Sequence, residues 1–205
     1  MIRLRYGNTN TFYIPGSRSG LLIDTDYAGT LPGFFRAIKS AGLKTEDITW
    51  LLITHYHPDH MGIAGNLQKL GVRLLIVDVQ MESLHFADPI FAREKHLPFV
   101  PVDEKAGKVI SCAESRDFLR GLGISGEIVH TPSHSPDSVS LLLDDGNCFV
   151  GDLEPLAYLG AYESNPALEK DWDLILGHDP KRIFYAHANP QIFETGTSGM
   201  KNDSA

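Results

Sequence analysis

His55-Tyr56-His57-Pro58-Asp59-His60, called the ligand turn below, places three imidazoles and one carboxylate within six residues. Imidazole and carboxylate groups are ligands that suit Zn, Fe, Ni and Mn. His55 and His57 lie two residues apart, so on an extended strand their side chains point to the same side. Asp59 and His60 follow Pro58 and must point elsewhere, because one tight turn cannot direct all four groups to one metal. The ligand turn therefore predicts two adjacent metal sites.

Strand and helix patterns alternate on either side of the ligand turn. Trp50-Leu51-Leu52-Ile53-Thr54 is a continuous apolar run, typical of a buried strand, and it ends at His55. Residues 60–70 have the pattern of one helix that closes at the next glycine. Residues 139–143 and 148–150 flank Asp-Asp-Gly-Asn, which indicates a hairpin. Strands and helices alternate around this hairpin, so the predicted fold class is α/β or α+β.

Composition limits the classes of function. The 205 residues are 42% hydrophobic, which predicts one compact domain over 1–194 and a small, polar, flexible tail over 195–205. The net charge is −8 without a basic run, so we expect no nucleic-acid partner. Two cysteines, no membrane-length apolar run and no signal-peptide core predict a cytoplasmic protein without a membrane partner. A small-molecule substrate is expected, a homodimer is one option for the assembly, and the irregular segment 80–108 is either a lid or a connector.

Three further polar residues stand where apolar segments end. His134 follows Thr-Pro-Ser, Asp152 follows Phe-Val-Gly, and His187 follows Phe-Tyr-Ala. Taken singly, each is more simply explained as a turn residue or a hydrogen-bonded core histidine. Together with the ligand turn, they predict metal ligands at the mouths of buried strands.

These motifs, taken in order, resemble those of the metallo-β-lactamase fold superfamily of metallohydrolases over nearly the whole chain. The ligand turn matches the family's signature, and Thr-Pro-Ser-His-Ser-Pro-Asp-Ser at 131–138 is similar to its T-P-G-H-T-P-G-S segment. Asp152 matches its bridging aspartate, His187 its last ligand, and Asp24 the aspartate of its early strand motif. The resemblance implies a four-layer αβ/βα sandwich with metals between the two sheet edges.

The resemblance also implies two divalent metal ions, with zinc favoured and iron or manganese as alternatives. The implied ligands are His55, His57 and His134 for one ion, Asp59, His60 and His187 for the second, and Asp152 as a bridge. Such a metal pair, about 3.5 Å apart, generates a nucleophile at neutral pH and polarises a carbonyl or phosphoryl oxygen. Asp59 would also orient that nucleophile and pass a proton to the leaving group. Asp24 and Thr54 are expected either to fix the ligand turn from behind or to cap a strand end.

Two departures from the family's pattern concern small residues beside the ligands. Ser133 replaces the usual glycine before the third histidine, and His187 lies in Ala-His-Ala-Asn rather than in Gly-His-Gly. We expect these changes to affect the shape of the pocket rather than metal binding.

Residues within and beside the motifs indicate which branch of the superfamily the chain resembles. Asp152 argues against a true β-lactamase, because those enzymes use other residues at the bridging position. We expect hydrolysis of a small ester, lactone or thioester, with a phosphodiester also open. Tyr158, six residues after Asp152, is expected either to bind the substrate carbonyl, as a tyrosine does in the lactonase branch, or to pack. The alternative function is that of a persulfide dioxygenase, an oxidoreductase of this fold with one iron held by two histidines and an aspartate.

Overall fold

The structure is a computed structural model that describes residues 1–161 and 164–193, so the tail predicted at 195–205 lies outside the described residues. The strands are β1 (Ile2–Leu4), β2 (Thr11–Pro15), β3 (Gly20–Ile23), β4 (Ile48–Leu52), β5 (Arg73–Val77), β6 (Lys108–Ile110), β7 (Gly126–His130), β8 (Val139–Leu143), β9 (Asn147–Phe149), β10 (Arg182–Phe184) and β11 (Gln191–Ile192). The α-helices are α1 (Leu31–Ser40), α2 (Pro58–Met61), α3 (Ala64–Lys69), α4 (Asp88–Phe91), α5 (Cys112–Leu122) and α6 (Pro166–Leu176). Short 3-10 helices are formed by Thr45–Asp47, Asp78–Ser83, Glu104–Ala106 and Leu156–Ala161.

The strands form two mixed sheets. The six-stranded sheet has the order β1-β2-β3-β4-β5-β6, with parallel pairing from β3 to β6 and antiparallel pairing among β1, β2 and β3. The five-stranded sheet has the order β11-β10-β9-β8-β7, and β8 and β9 are the predicted hairpin. Because β4 and β5 are parallel, their carboxyl ends lie at the same edge of the sheet. Sheets of this kind commonly present functional residues at that edge.

Three apolar layers separate the secondary-structure layers. Leu51 of β4 packs with buried residues of α1 and α3 on the outer face of the six-stranded sheet. Trp50 and Leu52 alternate to the opposite face and pack with Phe149 of β9 between the two sheets. Trp172 of α6 covers the outer face of the five-stranded sheet. Helices, sheet, sheet and helix in succession confirm the predicted four-layer αβ/βα sandwich.

The single helix predicted over 60–70 is wrong in one respect, because the structure divides it into α2 and α3. The carbonyl oxygen of His60 accepts hydrogen bonds from Thr25 N at 2.8 Å and Thr25 Oγ1 at 2.9 Å, which compete with the intrahelical donor. Gly62 lies so close to the preceding loop that a Cβ there would stand 2.3 Å from Ala28 N. Tertiary contacts with this loop therefore interrupt the helix directly behind the ligand turn.

Segment 80–108 is a packed connector over the outer face of the six-stranded sheet. Leu84, Phe91 and Val102 are buried in the same apolar layer as α1 and α3. The rings of Phe91 and Phe99 stack with their centroids 4.2 Å apart. Phe86 is 51% exposed, and its ring lies 5.3 Å from the ring of His57, so this segment also borders the predicted metal site. None of the helices in the described residues has the length and apolarity that a membrane span requires.

Candidate metal centre

The seven predicted ligands follow the ends of strands from both sheets. The ligand turn follows β4 of the six-stranded sheet. His134, Asp152 and His187 follow β7, β9 and β10 of the five-stranded sheet. A hydrogen bond from Val139 N to Thr54 O, at 2.8 Å, joins the sheets beside the ligand turn. The side chains therefore meet where the edges of the two sheets come together.

The first group consists of His55, His57 and His134, whose ligand atoms all lie within 4.8 Å of one another. His57 Nδ1 is 3.0 Å from His55 Nε2 and 3.3 Å from His134 Nε2. A neutral imidazole carries one donor and one acceptor nitrogen, so three nitrogens that face one point cannot all be satisfied by protons. A cation can accept a lone pair from each of them.

The second group consists of Asp59, His60 and His187, whose ligand atoms also lie within 4.8 Å of one another. Asp59 Oδ2 is 3.0 Å from His187 Nε2 and 3.9 Å from His60 Nε2. His60 is fully buried, whereas Asp59 and His187 are each more than one-third exposed. The second group is therefore open to solvent on the side of Asp59 and His187.

The carboxylate of Asp152 lies between the two groups. Its Oδ2 is 3.8 Å from His55 Nε2 and 3.8 Å from His134 Nε2. Its Oδ1 is 3.4 Å from His60 Nε2 and 3.4 Å from His187 Nε2. Each oxygen faces one group, so the structure brings all seven predicted residues together with Asp152 in the position of a bridge.

The protonation states follow from burial and from the charges nearby. Burial disfavours an imidazolium at His60, but Asp24 and Asp152 outweigh burial and raise the His60 pKa to about 10. The hydrogen bond with His187 lowers the pKa of Asp59 to about 2. Burial and the neighbouring imidazoles lower the pKa of His55, which keeps its ring neutral. The pKa shifts of His60 and Asp59 thus have one common cause, which is the close packing of imidazole and carboxylate groups in this pocket.

Two buried atoms test whether the residues fit a metal. His60 Nε2 and Asp152 Oδ1 have no hydrogen-bond partner among the described residues. Buried polar atoms in proteins are almost always paired, so two unpaired atoms 3.4 Å apart call for an explanation. Both atoms belong to the predicted ligand set, and imidazole with carboxylate suits Zn, Fe and Mn. The residues fit a pair of divalent metals.

A sequence model agrees with this geometry. The model of the metallo-beta-lactamase superfamily matches residues 4–187, which include every residue of both groups. The chain belongs to the metallo-β-lactamase superfamily. The two-sheet architecture and the shared-edge location of the site are those implied by the resemblance.

Individual relatives show how far the similarity extends. Beta-lactamase-like protein 2 homolog of Drosophila melanogaster is 28% identical over 187 residues, covering 88% of this chain and 59% of the relative. Atrochrysone carboxyl ACP thioesterase of Aspergillus fumigatus is 32% identical over 147 residues, covering 70% of this chain and 29% of the relative. The chain thus spans less than two thirds of the length of these curated relatives. The crystal structure of TTHA1623 in a di-iron-bound form shares the fold, with a TM-score of 0.70, 22% identity and 94% coverage of both chains.

Residues behind the second group hold its ligands in place. Asp24 Oδ2 is 3.0 Å from His60 Nδ1, and Asp24 accepts hydrogen bonds from Thr54 N at 2.6 Å and from Thr54 Oγ1 at 2.8 Å. The two alternatives expected for Asp24 are therefore not exclusive in geometry, because it contacts the predicted ligand His60 and also caps the end of β4. His187 Nδ1 contacts the carbonyl oxygen of Asn8 at 3.3 Å. Such outer contacts fix the tautomer and orientation of metal-binding histidines.

A pocket of about 340 Å³ opens beside the metal centre. His134, Asp152 and His187 line it together with an apolar wall that includes Leu153 and Tyr185. Burial raises the pKa of Tyr185 to about 12, so its hydroxyl stays protonated, and it donates to Gln191 Oε1 at 3.0 Å.

Tyr158, in contrast, lies on the 3-10 helix Leu156–Ala161, is 52% exposed and is not among the residues that line this pocket. Its predicted contact with the substrate carbonyl stays a prediction. Sequence reasoning overlooked Tyr185, because it belongs to an apolar run that is typical of a buried strand.

Sequence reasoning also missed three buried polar residues beside the ligands. Asp171 of α6 accepts a hydrogen bond from Ser133 N at 2.8 Å, next to His134. Asp137 and Gln80 bind backbone groups near the ligand turn. Asp137 stands where the family's segment has glycine, which was the available signal. Gln80 and Asp171 carry no local signal, because their partners are distant in the sequence.

Proposed function

We propose that the protein is a metal-dependent hydrolase that cleaves a small ester, lactone or thioester with two divalent metals held by the seven ligands. The observation that carries this proposal is the position of Asp152. Its two oxygens face the two groups at 3.4 Å and 3.8 Å, as a shared ligand must. Zinc is the favoured metal, because imidazole and carboxylate at an accessible site suit catalytic zinc.

The chain's own residues support hydrolytic chemistry. Bound as a pair, divalent metals supply a water-derived nucleophile at neutral pH and polarise the scissile carbonyl. Asp59 is ionised and partly exposed, so it can accept a hydrogen bond from the attacking water and orient it. Leu153 and Tyr185 line the pocket beside the site and offer an apolar surface to the substrate.

Among the three classes of bond, a thioester is favoured. The Aspergillus relative is named as a thioesterase, and the pocket beside Asp152 has an apolar wall suited to an acyl group. A net charge of −8 disfavours nucleic-acid substrates, because backbone phosphates require a basic surface. We therefore propose a small, neutral or anionic acyl compound as the substrate.

A substrate panel tests this proposal. The zinc-loaded protein is assayed on aryl esters, lactones and acyl thioesters beside single-stranded RNA and DNA, and the chelated protein is the matched control. We expect metal-dependent turnover of at least one acyl substrate and none of the nucleic acids. Salt-sensitive nuclease turnover together with silence on every acyl substrate would overturn the proposal.

One observation favours the alternative function, that of a persulfide dioxygenase with a single iron, and this function is therefore included in the test. Asp152 Oδ2 is equally distant, at 3.8 Å, from His55 and His134, and two histidines with one carboxylate can hold a single iron. Metal analysis of protein purified without added metal separates the two functions. Two equivalents of zinc support hydrolysis, whereas one iron with persulfide-dependent oxygen uptake would assign the protein to oxygenation.

A further inference from the structure

A buried carboxylate connects the ligand turn to the loop that carries His134, the third residue of the first group. Asp137 is 4% exposed and lies in the loop between β7 and β8, three residues after His134. Its Oδ2 accepts a hydrogen bond of 2.7 Å from Tyr56 N, the backbone donor between the two histidines that the ligand turn contributes to this group. Its Oδ1 accepts a hydrogen bond of 2.8 Å from Ser135 Oγ. One side chain therefore contacts both the backbone between His55 and His57 and the hydroxyl of the residue after His134, although these segments follow strands of different sheets.

Gln80 makes a second connection at the same place. Its side chain is fully buried, and Nε2 donates to Asp137 O at 3.2 Å and to Ile53 O at 2.8 Å. Its Oε1 accepts from Val77 N at 3.1 Å. Gln80 thus ties the loop that carries Asp137 to the ends of β4 and β5. Buried hydrogen bonds of this kind have little freedom to rearrange, so they can fix the separation between the ligand turn and His134.

The second group is supported by different residues. His60 is held by Asp24 at 3.0 Å, and His187 by the carbonyl oxygen of Asn8 at 3.3 Å. The carbonyl oxygen of Asp59 accepts a hydrogen bond from Thr9 Oγ1 at 2.7 Å. These three contacts involve neither Asp137 nor Gln80. The two groups therefore have different direct contacts, although they share Asp152. They are linked indirectly through Thr54, whose carbonyl oxygen accepts from Gln80 Nε2 at 3.3 Å and whose N–H and hydroxyl donate to Asp24.

We propose that Asp137 is the positioning residue of the first group and that Gln80 assists it, so that their loss weakens the metal held there and spares the second. The proposal rests on the two-metal site of the proposed function. The motif that the loop resembles has glycine at this position, and glycine offers neither oxygen. At this position the chain therefore makes contacts between its two sheets that a glycine could not make.

Zinc competition with a chromophoric chelator, on the remetallated full chain, tests this assignment. Asp137→Ala leaves Tyr56 N without its acceptor, and we expect one of the two zinc affinities to fall about 10- to 100-fold, the range for lost outer-shell contacts. Asp137→Asn keeps an oxygen for Tyr56 N and an amide that can donate to Ser135 Oγ, so it should restore most of the affinity. In a His57→Ala background, which already disables the first group, Asp137→Ala should leave the remaining zinc unchanged.

A matched control separates positioning from general destabilisation. Ser115→Ala removes the acceptor of Ile128 N, a buried 2.8 Å hydrogen bond between α5 and β7, and should leave both zinc affinities unchanged. If Asp137→Ala fails to fold, Gln80→Met removes the donor to Asp137 O and should weaken the same zinc. Equal losses at both zincs, no rescue by Asn, or an equal loss in Ser115→Ala would overturn the proposal. A wild-type protein silent on all acyl substrates would overturn the hydrolase proposal and leave this zinc comparison valid.

Discussion

Whether Asp59 is a metal ligand or a helix cap can be decided only from the three-dimensional structure. A residue ahead of His60 in a new helix could serve as the N-cap, and an aspartate suits that position. In the structure the N-cap of α2 is His57, and Asp59 lies within the first turn. Its Oδ2 points to His187 Nε2 at 3.0 Å. The N-cap interpretation of Asp59 is therefore wrong, and its carboxylate lies among the other predicted metal ligands.

Asp59→Asn should lower turnover by about 100-fold or more, the usual range for a lost acid–base group. Asn keeps the shape of the side chain but loses the charge and the basicity, while a substrate analogue should bind with little change. Steady-state kinetics with metal counting measure the effect. Near-normal turnover with both metals bound would remove Asp59 from the chemistry.

Asp152→Ala should lose the metal of the second group and most activity while the fold survives. The carboxylate faces both groups, whereas the three apolar layers that hold the fold do not depend on it. Circular dichroism and metal analysis measure these outcomes. Asp117→Ala is the control, because Asp117 is 78% exposed in an ion pair with Arg120, and exposed pairs contribute little. A variant that keeps both metals and full turnover would contradict the bridging role.

At the scale of single elements, the division between α2 and α3 is the clearest case in which tertiary contacts interrupt a helix that the local sequence pattern predicts. The periodicity of 60–70 is helical throughout, and both pieces are helices. The break occurs because Thr25 competes for the carbonyl of His60 and because the 26–28 loop packs on Gly62. The same contact places His60 beside Asp24, so the interruption serves the site.

Gly62→Ala should destabilise the protein by about 1–3 kcal/mol, the usual cost of overpacking a filled site. The added Cβ would stand 2.3 Å from Ala28 N, and backbone atoms cannot rotate away. Gly121→Ala is the matched control, since a Cβ there meets nothing within 4 Å in α5 and should stabilise by about 0.5–1 kcal/mol. Urea unfolding of the chelated proteins measures both. Equal midpoints for the two variants would show that the contact at Gly62 is not tight.

At the scale of the whole molecule, the metal centre lies across the interface between the two sheets. The ligand turn belongs to the six-stranded sheet, and the remaining ligands follow strands of the five-stranded sheet. Metal binding by these residues would therefore favour the conformation in which both sheets are packed. Within the described residues, the positive groups that lower the pKa values of Asp59 and Asp152 are imidazoles.

Removal of metal should therefore lower the free energy of unfolding without abolishing the fold. A ligand that binds only the native state stabilises it by about 2.7 kcal/mol when its free concentration is 100 times Kd. Calorimetry of the chelated and zinc-loaded protein, at fixed protein concentration, measures the difference in Tm. Asp152→Ala should show a smaller difference. Identical Tm values for both wild-type forms would mean that the groups do not bind zinc in the folded state.

The sequence by itself determined the ligand turn, the alternating strands and helices, the hairpin and the seven residues that the structure brings together. The ligand turn, the strands and the hairpin follow from local rules, because strand periodicity, turn chemistry and ligand type are properties of neighbouring residues. His134, Asp152 and His187 are predicted only in combination with the ligand turn and from the order of the family's motifs. Only the tertiary structure decided the break behind the ligand turn, the wall of the pocket and the supports from Asp137 and Gln80. Asp137 and Tyr56 are 81 residues apart in the chain, and Gln80 and Asp137 are 57 apart. No local pattern encodes such a pair, since the energy that fixes it arises only when the two sheets pack and exclude water from the hydrogen bond.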